Sequence, residues 1–180
     1  QWALLIAVLG VGVYSYYRTP PDQVYAPETW RSWEGFHAIA YSGVVRNGED
    51  NYVTQQRLEE HITALRNAGY NPITPQDAAA FLDWKAPLPD KAVLILFESG
   101  RKDILLRGTP VLRRTGFFAT ACIPTKCTEI WSNLYLRDSD VRKLNELEAW
   151  QVGSMGHAAA LPVQNNSARR GTHFLSHRLR

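Results

Sequence analysis

The apolar positions of the chain cluster around Ala92–Phe97 (AVLILF), which runs directly into Glu98, Ser99 and Gly100. A short, unbroken apolar stretch bounded by turn residues reads as a strand buried on both faces. Such strands lie at the centre of parallel sheets, and α/β proteins place their chemistry at the C-terminal ends. An acid, a hydroxyl and a glycine fall together at that end here.

Alternation of strand and helix patterns extends to both sides. Phe36–Tyr41 (FHAIAY) predicts a short strand, and residues 42–51 a polar loop with Gly43 and Gly48. Thr54 caps a helix to about Asn67, with Leu58, Ile62 and Leu65 on one stripe and Gly69 as its stop. Tyr70–Ile73 is a strand. Thr74, Pro75 and Asp77 then form the N-cap, N1 and N3 signature of a second helix carrying Ala78, Phe81 and Leu82. Residues 85–90 form a Pro-rich loop. Beyond Gly100, Thr109-Pro110 caps a helix that Gly116 ends, and Phe117–Ile123 is a strand. Asp138 or Ser139 caps a helix presenting Val141, Leu144 and Leu147, and Trp150–Gly153 is a further strand. This order predicts parallel βαβ units and an α/β fold. The last 23 residues are polar and basic without a strand pattern, so the sheet or barrel is expected to be incomplete.

Trp2–Val13 (WALLIAVLGVGV) carries no charge, and Tyr14, Tyr16 and Tyr17 precede Arg18. Aromatic residues beside an apolar run are the pattern of a membrane interface. Residues 1–18 are therefore expected to be one transmembrane helix. A span needs roughly 20 apolar residues, so the expectation includes a start upstream of Gln1. A signal peptide is the rival reading, but bulky tyrosines stand where small residues would be cleaved. A buried core helix is the third, opposed by Pro20-Pro21 directly after the run. Residues 19–35, with Pro20, Pro21 and Pro27, read as a linker in which Trp30 and Trp33 either cap the domain or rest at the membrane surface. Residues 36–180 form the globular domain.

Composition narrows this picture. With 180 residues and 45% hydrophobic content the chain can bury one real core. A net charge of +3 without a run of like charges gives no nucleic-acid footprint. Six Trp and eight Tyr offer faces that stack on sugars as well as at membrane interfaces. Cys122 and Cys127 either form a local disulfide worth about 2 kcal/mol or remain two free thiols. Two cysteines alone do not fill a structural zinc site.

Taken in order, these elements resemble the polysaccharide deacetylases of the NodB-homology type, carbohydrate esterase family 4, over about residues 36–157. Tyr41-Ser42-Gly43-Val44 is similar to the family's opening Tyr-His-x-Val, and residues 58–73 to its first helix and following strand. Leu96-Phe97-Glu98-Ser99-Gly100 stands where the family has Thr-Phe-Asp-Asp-Gly. Thr109-Pro110-Val111-Leu112 and Ala119-Thr120 resemble the next helix and strand. Residues 144–156 stand where a helix leads into Gly-Ser-His-Thr-x-x-x-His. The resemblance implies a distorted (β/α) barrel, incomplete here because the family's later segments have no counterpart.

It also implies roles. The family's first Asp is the general base, while the second Asp and two His hold a divalent metal that activates water. Glu98 stands at the base position, Ser99 at the ligand Asp, Met155 at the first His and Ala159 at the second. A hydroxyl, a thioether and a methyl do not make a hard-cation or zinc site. The implied protein is membrane-anchored and catalytically inactive, with no cofactor. It would serve as scaffold or glycan-binding accessory in exopolysaccharide synthesis or export, or in another envelope membrane complex. Its expected place is the periplasmic or extracellular side of a bacterial inner membrane, although Arg18 after the span favours the opposite orientation. Expected partners are membrane lipid, a membrane complex such as a polysaccharide synthase, and a glycan, but no nucleic acid. The alternative is an active, metal-dependent deacetylase of N- or O-acetylated polysaccharide, with zinc held at a relocated site. His173 and His177 share a face if helical, and His157 offers one more imidazole. Against this, His173 and His177 also read as part of a solvated basic tail, and Glu98 as a carboxylate that caps a helix or pairs with Arg101 or Lys102.

Overall fold

The computed structural model describes residues 25–48, 52–130 and 132–157, together with the backbone of residues 162–163 and 172–173. In chain order the strands are β1 (Phe36–Tyr41), β2 (Val44–Val45), β3 (Val53–Thr54), β4 (Asn71–Pro72), β5 (Ala92–Phe97), β6 (Ala119–Ile123), β7 (Trp150–Ser154), β8 (Pro162–Val163) and β9 (Thr172–His173). The helices are α1 (Gln55–Asn67), α2 (Pro75–Leu82), α3 (Thr109–Thr115), α4 (Thr125–Glu129) and α5 (Asp138–Asn145).

One parallel sheet organises the domain, in the order β1-β5-β6-β7, with β4 on the N-terminal end of β5. As the apolar run predicts, β5 is central and buried on both faces. Val93, Ile95 and Phe97 enter the larger core with Leu58 and Ile62 of α1, Val111 and Leu112 of α3, Leu144 of α5 and Trp150. Ala92 and Leu94 face the other way, into a smaller core with Trp30, Ile73, Ala78 and Leu88. Toward the C-terminal ends of the strands this second face opens. Ala38 and Ala40 are exposed, while Leu96, Cys122 and Gly153 are half-buried. The described strands thus form an open α/β sheet rather than a closed barrel.

The predicted caps at Thr54 and Thr74 are present. Thr54 Oγ1 accepts from the Arg57 N–H at 3.1 Å. Thr74 and Asp77 form a reciprocal capping box behind Pro75. Gly69 and Gly116 have φ of +80° and +72°, the left-handed stops their positions predict.

Other elements differ from expectation. Thr109 does not cap a helix; the helical path begins earlier, through a wide π-turn at Ile104–Gly108, where the Thr109 N–H donates to Ile104 O. Pro110 supplies the reason, since its ring would collide with the carbonyl four residues back in a regular α-helix. The Thr109 hydroxyl is buried and accepts from Trp150 Nε1 at 2.9 Å. Neither Asp138 nor Ser139 caps α5; the Asp140 carboxylate reaches back to the Arg137 N–H at 3.1 Å. The strands expected at Tyr70–Ile73 and Phe117–Ile123 are shorter, and α4 is a helix without a predicted counterpart. Within the C-terminal stretch expected to lack strands, β8 and β9 form a short antiparallel pair.

The stretch 25–35, inside the expected linker, packs on the domain. Trp30 is buried in the smaller core, and Ser32 exchanges two backbone hydrogen bonds with Leu88. Among the described residues no helix is long and apolar enough to cross a membrane. The run expected to do so, residues 1–18, lies outside the described residues.

Replacing Trp150 by Phe keeps the ring in the core but removes the bond to Thr109. Urea unfolding should show a loss of about 1–2 kcal/mol. An unchanged midpoint would mean that this buried bond contributes nothing to folding.

Candidate functional site at the mouth of the sheet

The site is built from the backbone that leaves β5. The Glu98 N–H donates to Tyr41 O at 2.9 Å, extending the β1–β5 ladder by one residue. Continuing the register of β5 against β6, where Phe97 lies opposite Ala121, sets Glu98 beside Cys122. Burial, and then the charge of Glu98, push the Cys122 thiol above its ordinary value.

The chain then reverses through two left-handed residues, Ser99 at φ +88° and Gly100 at φ +64°. Glycine is suited to its place on two counts. The backbone favours it, and a Cβ would lie 3.3 Å from Pro124 and from Cys127. Ser99 carries strain of about 1–2 kcal/mol, and its hydroxyl donates to Ser42 O at 2.7 Å. The Cys127 thiol donates to Ser99 O at 3.5 Å. Cys122 and Cys127 are both free, which removes the disulfide alternative. Cys122 belongs to the second, open face of the sheet, whereas Cys127 is buried beneath the Ser99–Gly100 turn.

A second group of contacts fixes the loops around this turn. The Arg101 guanidinium donates to Asp103 Oδ2 through Nε at 2.7 Å and through a terminal nitrogen at 2.6 Å. It also lies over the Tyr52 ring, 4.5 Å from the centroid. The other oxygen of Asp103 accepts from the Val44 N–H at 3.2 Å. Gly43 passes so close that a Cβ would come 2.9 Å from Arg101. Lys102 pairs with the buried Asp140 at 2.9 Å, tying the turn to α5. Glu98 therefore pairs with neither Arg101 nor Lys102.

The remaining sequence-predicted residues are only partly gathered at this mouth. Met155 follows β7, half-buried, its N–H donating to Ile123 O at 3.1 Å. His157 is exposed, with Nδ1 3.0 Å from Thr125 Oγ1. Its carbonyl accepts from the Lys126 N–H at the start of α4. The backbone of His173 lies in β9. Ala159, His177 and the side chain of His173 lie outside the described residues. Among the described residues no three of His, Cys, Asp and Glu gather as a metal-holding group. Ser99 and Met155 bring neither a carboxylate nor an imidazole to this mouth. The Ser99 hydroxyl is committed as a donor to a carbonyl, and the Met155 thioether is a soft ligand.

Sequence reasoning misses the Arg101–Asp103–Tyr52 cluster and the Cys122–Glu98 pair. Both join residues far apart in the chain; the small residue at Gly43 is the trace the first of them leaves in the sequence. A separate cleft of about 350 Å³, lined by Glu34, His37, Tyr70 and Lys91 among others, opens at the N-terminal ends of β1 and β5. It is at the opposite end of the sheet from Glu98.

No protein-family model matches the chain. YxkH of Bacillus subtilis (strain 168), whose name describes it as a polysaccharide deacetylase, is 32% identical over 76 residues. That match covers 42% of this chain and 27% of YxkH. A solved de-N-acetylase from Aggregatibacter actinomycetemcomitans superposes with a TM-score of 0.65 at 19% identity, over 77% of this chain and 61% of that one. The fold is that of the polysaccharide deacetylases. IcaB from Ammonifex degensii shares this deacetylase fold with a TM-score of 0.59 at 19% identity, over 70% of this chain and 55% of its own. The chain thus spans under two thirds of the length of each of these relatives. Within the deacetylase fold, the turn after β5 is the place where the resemblance puts the general base and the first metal ligand. Glu98 and Ser99 occupy it.

Two outcomes test this geometry. Burial disfavours the ionised Asp140, but Lys102 and the Arg137 N–H outweigh it and hold the carboxyl below its ordinary value. The stabilisation is therefore complete above the unfolded value of about 3.9 and is lost as pH falls through the lower native one. Asp140→Asn should destabilise the domain near neutrality by about 2 kcal/mol and flatten its acid unfolding limb. An unaltered pH profile in urea titrations would refute this. Glu98→Gln removes the negative charge beside Cys122, so the thiol should ionise more readily. Iodoacetamide should then alkylate Cys122 faster at mildly alkaline pH; an unchanged rate would separate the two residues.

Proposed function

We propose that this protein is a membrane-anchored polysaccharide deacetylase-like domain that does not itself hydrolyse acetyl groups. It acts as a scaffold or glycan-binding accessory in exopolysaccharide synthesis or export, or in another envelope membrane complex, on the periplasmic or extracellular side. One observation carries the reading: the side chain at the first ligand position, Ser99, is a hydroxyl spent on Ser42 O. A group that donates there has no carboxylate to offer a cation, and Met155 at the next position adds no hard ligand.

Glu98 keeps the charge of a general base, but a base alone does not polarise an acetamide. The second face of the sheet, where Ala38 and Ala40 are exposed and Cys122 and Gly153 half-buried, is the surface on which we place a saccharide that is held and not cleaved. The resemblance and YxkH's name support the carbohydrate context, and the uncharged run Trp2–Val13 supports the anchor.

Metal analysis and acetate release from chitooligosaccharides test the proposal together. The purified protein should contain no stoichiometric zinc and release no acetate. The triple variant Ser99→Asp, Met155→His, Ala159→His should gain zinc binding, because it restores a carboxylate and two imidazoles. Metal-dependent acetate release that disappears in Glu98→Gln would overturn the inactive reading. Release that disappears only in His173→Ala or His177→Ala would place an active metal site in the C-terminal segment.

A further inference from the structure

The end of the sheet opposite Glu98 exposes large apolar side chains side by side. Trp84 is 79% exposed, Leu82 65% and Trp33 45%. They form a built surface. The Trp33 ring stacks on Trp84 at 5.8 Å and 18°, and on Phe81 at 5.7 Å and 28°. Phe36, at the start of β1, meets Phe81 edge-on. Trp84 also sits at φ +58°, just past the end of α2, where glycine is the ordinary occupant. An indole there sits on strained backbone, and its ring is too exposed for the core to explain it.

Chain length says what this surface faces. Six residues separate Arg18, the last residue of the expected span, from Tyr25. Even fully extended, that connection spans at most about 25 Å. Tyr25 is fixed on the domain, its hydroxyl donating to both Asp77 oxygens at 2.8 Å. Asp77 lies in the first turn of α2 and Phe81 in its last, about 6 Å apart along the axis. The point where the chain leaves toward residue 18 and the aromatic stack therefore lie on one short helix. Indole rings favour the boundary between headgroups and acyl chains, and Leu82 adds an aliphatic side chain suited to the same layer.

Resting on the anchored reading of residues 1–18, we propose that the Trp33–Phe81–Trp84 stack, with Leu82, seats in the interface of the bilayer. It holds this end of the sheet against the membrane and turns the Glu98 mouth away from it. Asp83 and Lys85 beside the stack pair with each other at 2.8 Å. The contact is accordingly apolar in character and does not require anionic lipid.

The test uses the full chain in phosphatidylcholine vesicles whose acyl chains are brominated near the headgroup. Tryptophan emission of the wild type is compared with Trp84→Phe and, separately, with Trp2→Phe, each of which keeps an aromatic ring. The difference spectra isolate Trp84 and Trp2. Loss of most of the Trp84 emission in brominated vesicles, with shielding from acrylamide, is the expected result, and added salt should not reverse it. Quenching of Trp2 with Trp84 unquenched would overturn the proposal and leave the anchor standing. Quenching of Trp84 alone would uphold the seated surface and overturn the anchor. Quenching of neither would overturn both. Shielding of Trp84 by chitooligosaccharide and not by lipid would assign the stack to glycan and also overturn the proposal.

Discussion

Burial of β5 on both faces is the constraint on which the rest of the structure depends. A strand with Val93, Ile95 and Phe97 in one core and Ala92 and Leu94 in another has no exposed face on which to continue. The chain must leave the sheet abruptly when its apolar residues end. Glu98 makes the last ladder bond, to Tyr41 O, and the reversal follows within Ser99 and Gly100. The position of the carboxylate, the strain at Ser99 and the close packing of Gly100 on Pro124 and Cys127 all follow from that exit.

The loops around the exit are held by charge that is mostly out of water. Arg101 and Asp103 are 19% and 8% exposed, so the pair gives up hydration, yet Asp103 and Tyr52 outweigh that loss and hold the guanidinium above its ordinary pKa. The pair also sets direction. One Asp103 oxygen receives Arg101 and the other the Val44 N–H, so the loops after β1 and β5 take one arrangement. Lys102 and Asp140 do the same between the turn and α5. These contacts fix the loops around the mouth of the sheet to one another.

Much of this is legible in the sequence because its causes are local. The apolar run of β5, the Thr54 and Thr74 caps and the left-handed stops at Gly69 and Gly116 each depend on a few neighbouring residues. What escapes the sequence depends on partners far along the chain. Thr109 looks like a cap because Pro110 follows it, yet the hydroxyl serves Trp150, 41 residues away. Asp138 and Ser139 look like caps, yet Asp140 is the residue that reaches back, while Lys102 neutralises it from across the turn. The Pro-rich stretch before β1 reads as linker because proline gives no periodicity, but Trp30 finds a place in the smaller core. At the candidate site the order Glu98-Ser99-Gly100 is legible, whereas the clamp of Arg101 on Asp103 and Tyr52 is not.

The turn at Ser99 separates fold from chemistry. A left-handed serine costs about 1–2 kcal/mol, and its hydroxyl bond to Ser42 O contributes about 1 kcal/mol. The serine side chain therefore gains at most what its own backbone loses, and it is not the reason for the turn. Strain of this kind persists where the surroundings over-determine it. Here they do so through the β1–β5 ladder, the Gly100 contacts and the Arg101–Asp103 clamp. The side chain at 99 can then be exchanged without moving the backbone that presents it. A carboxylate on this turn would offer oxygens to a cation, whereas the serine offers a proton to a carbonyl. Backbone and side chain are thus separate choices at this turn, so the fold alone does not decide the chemistry.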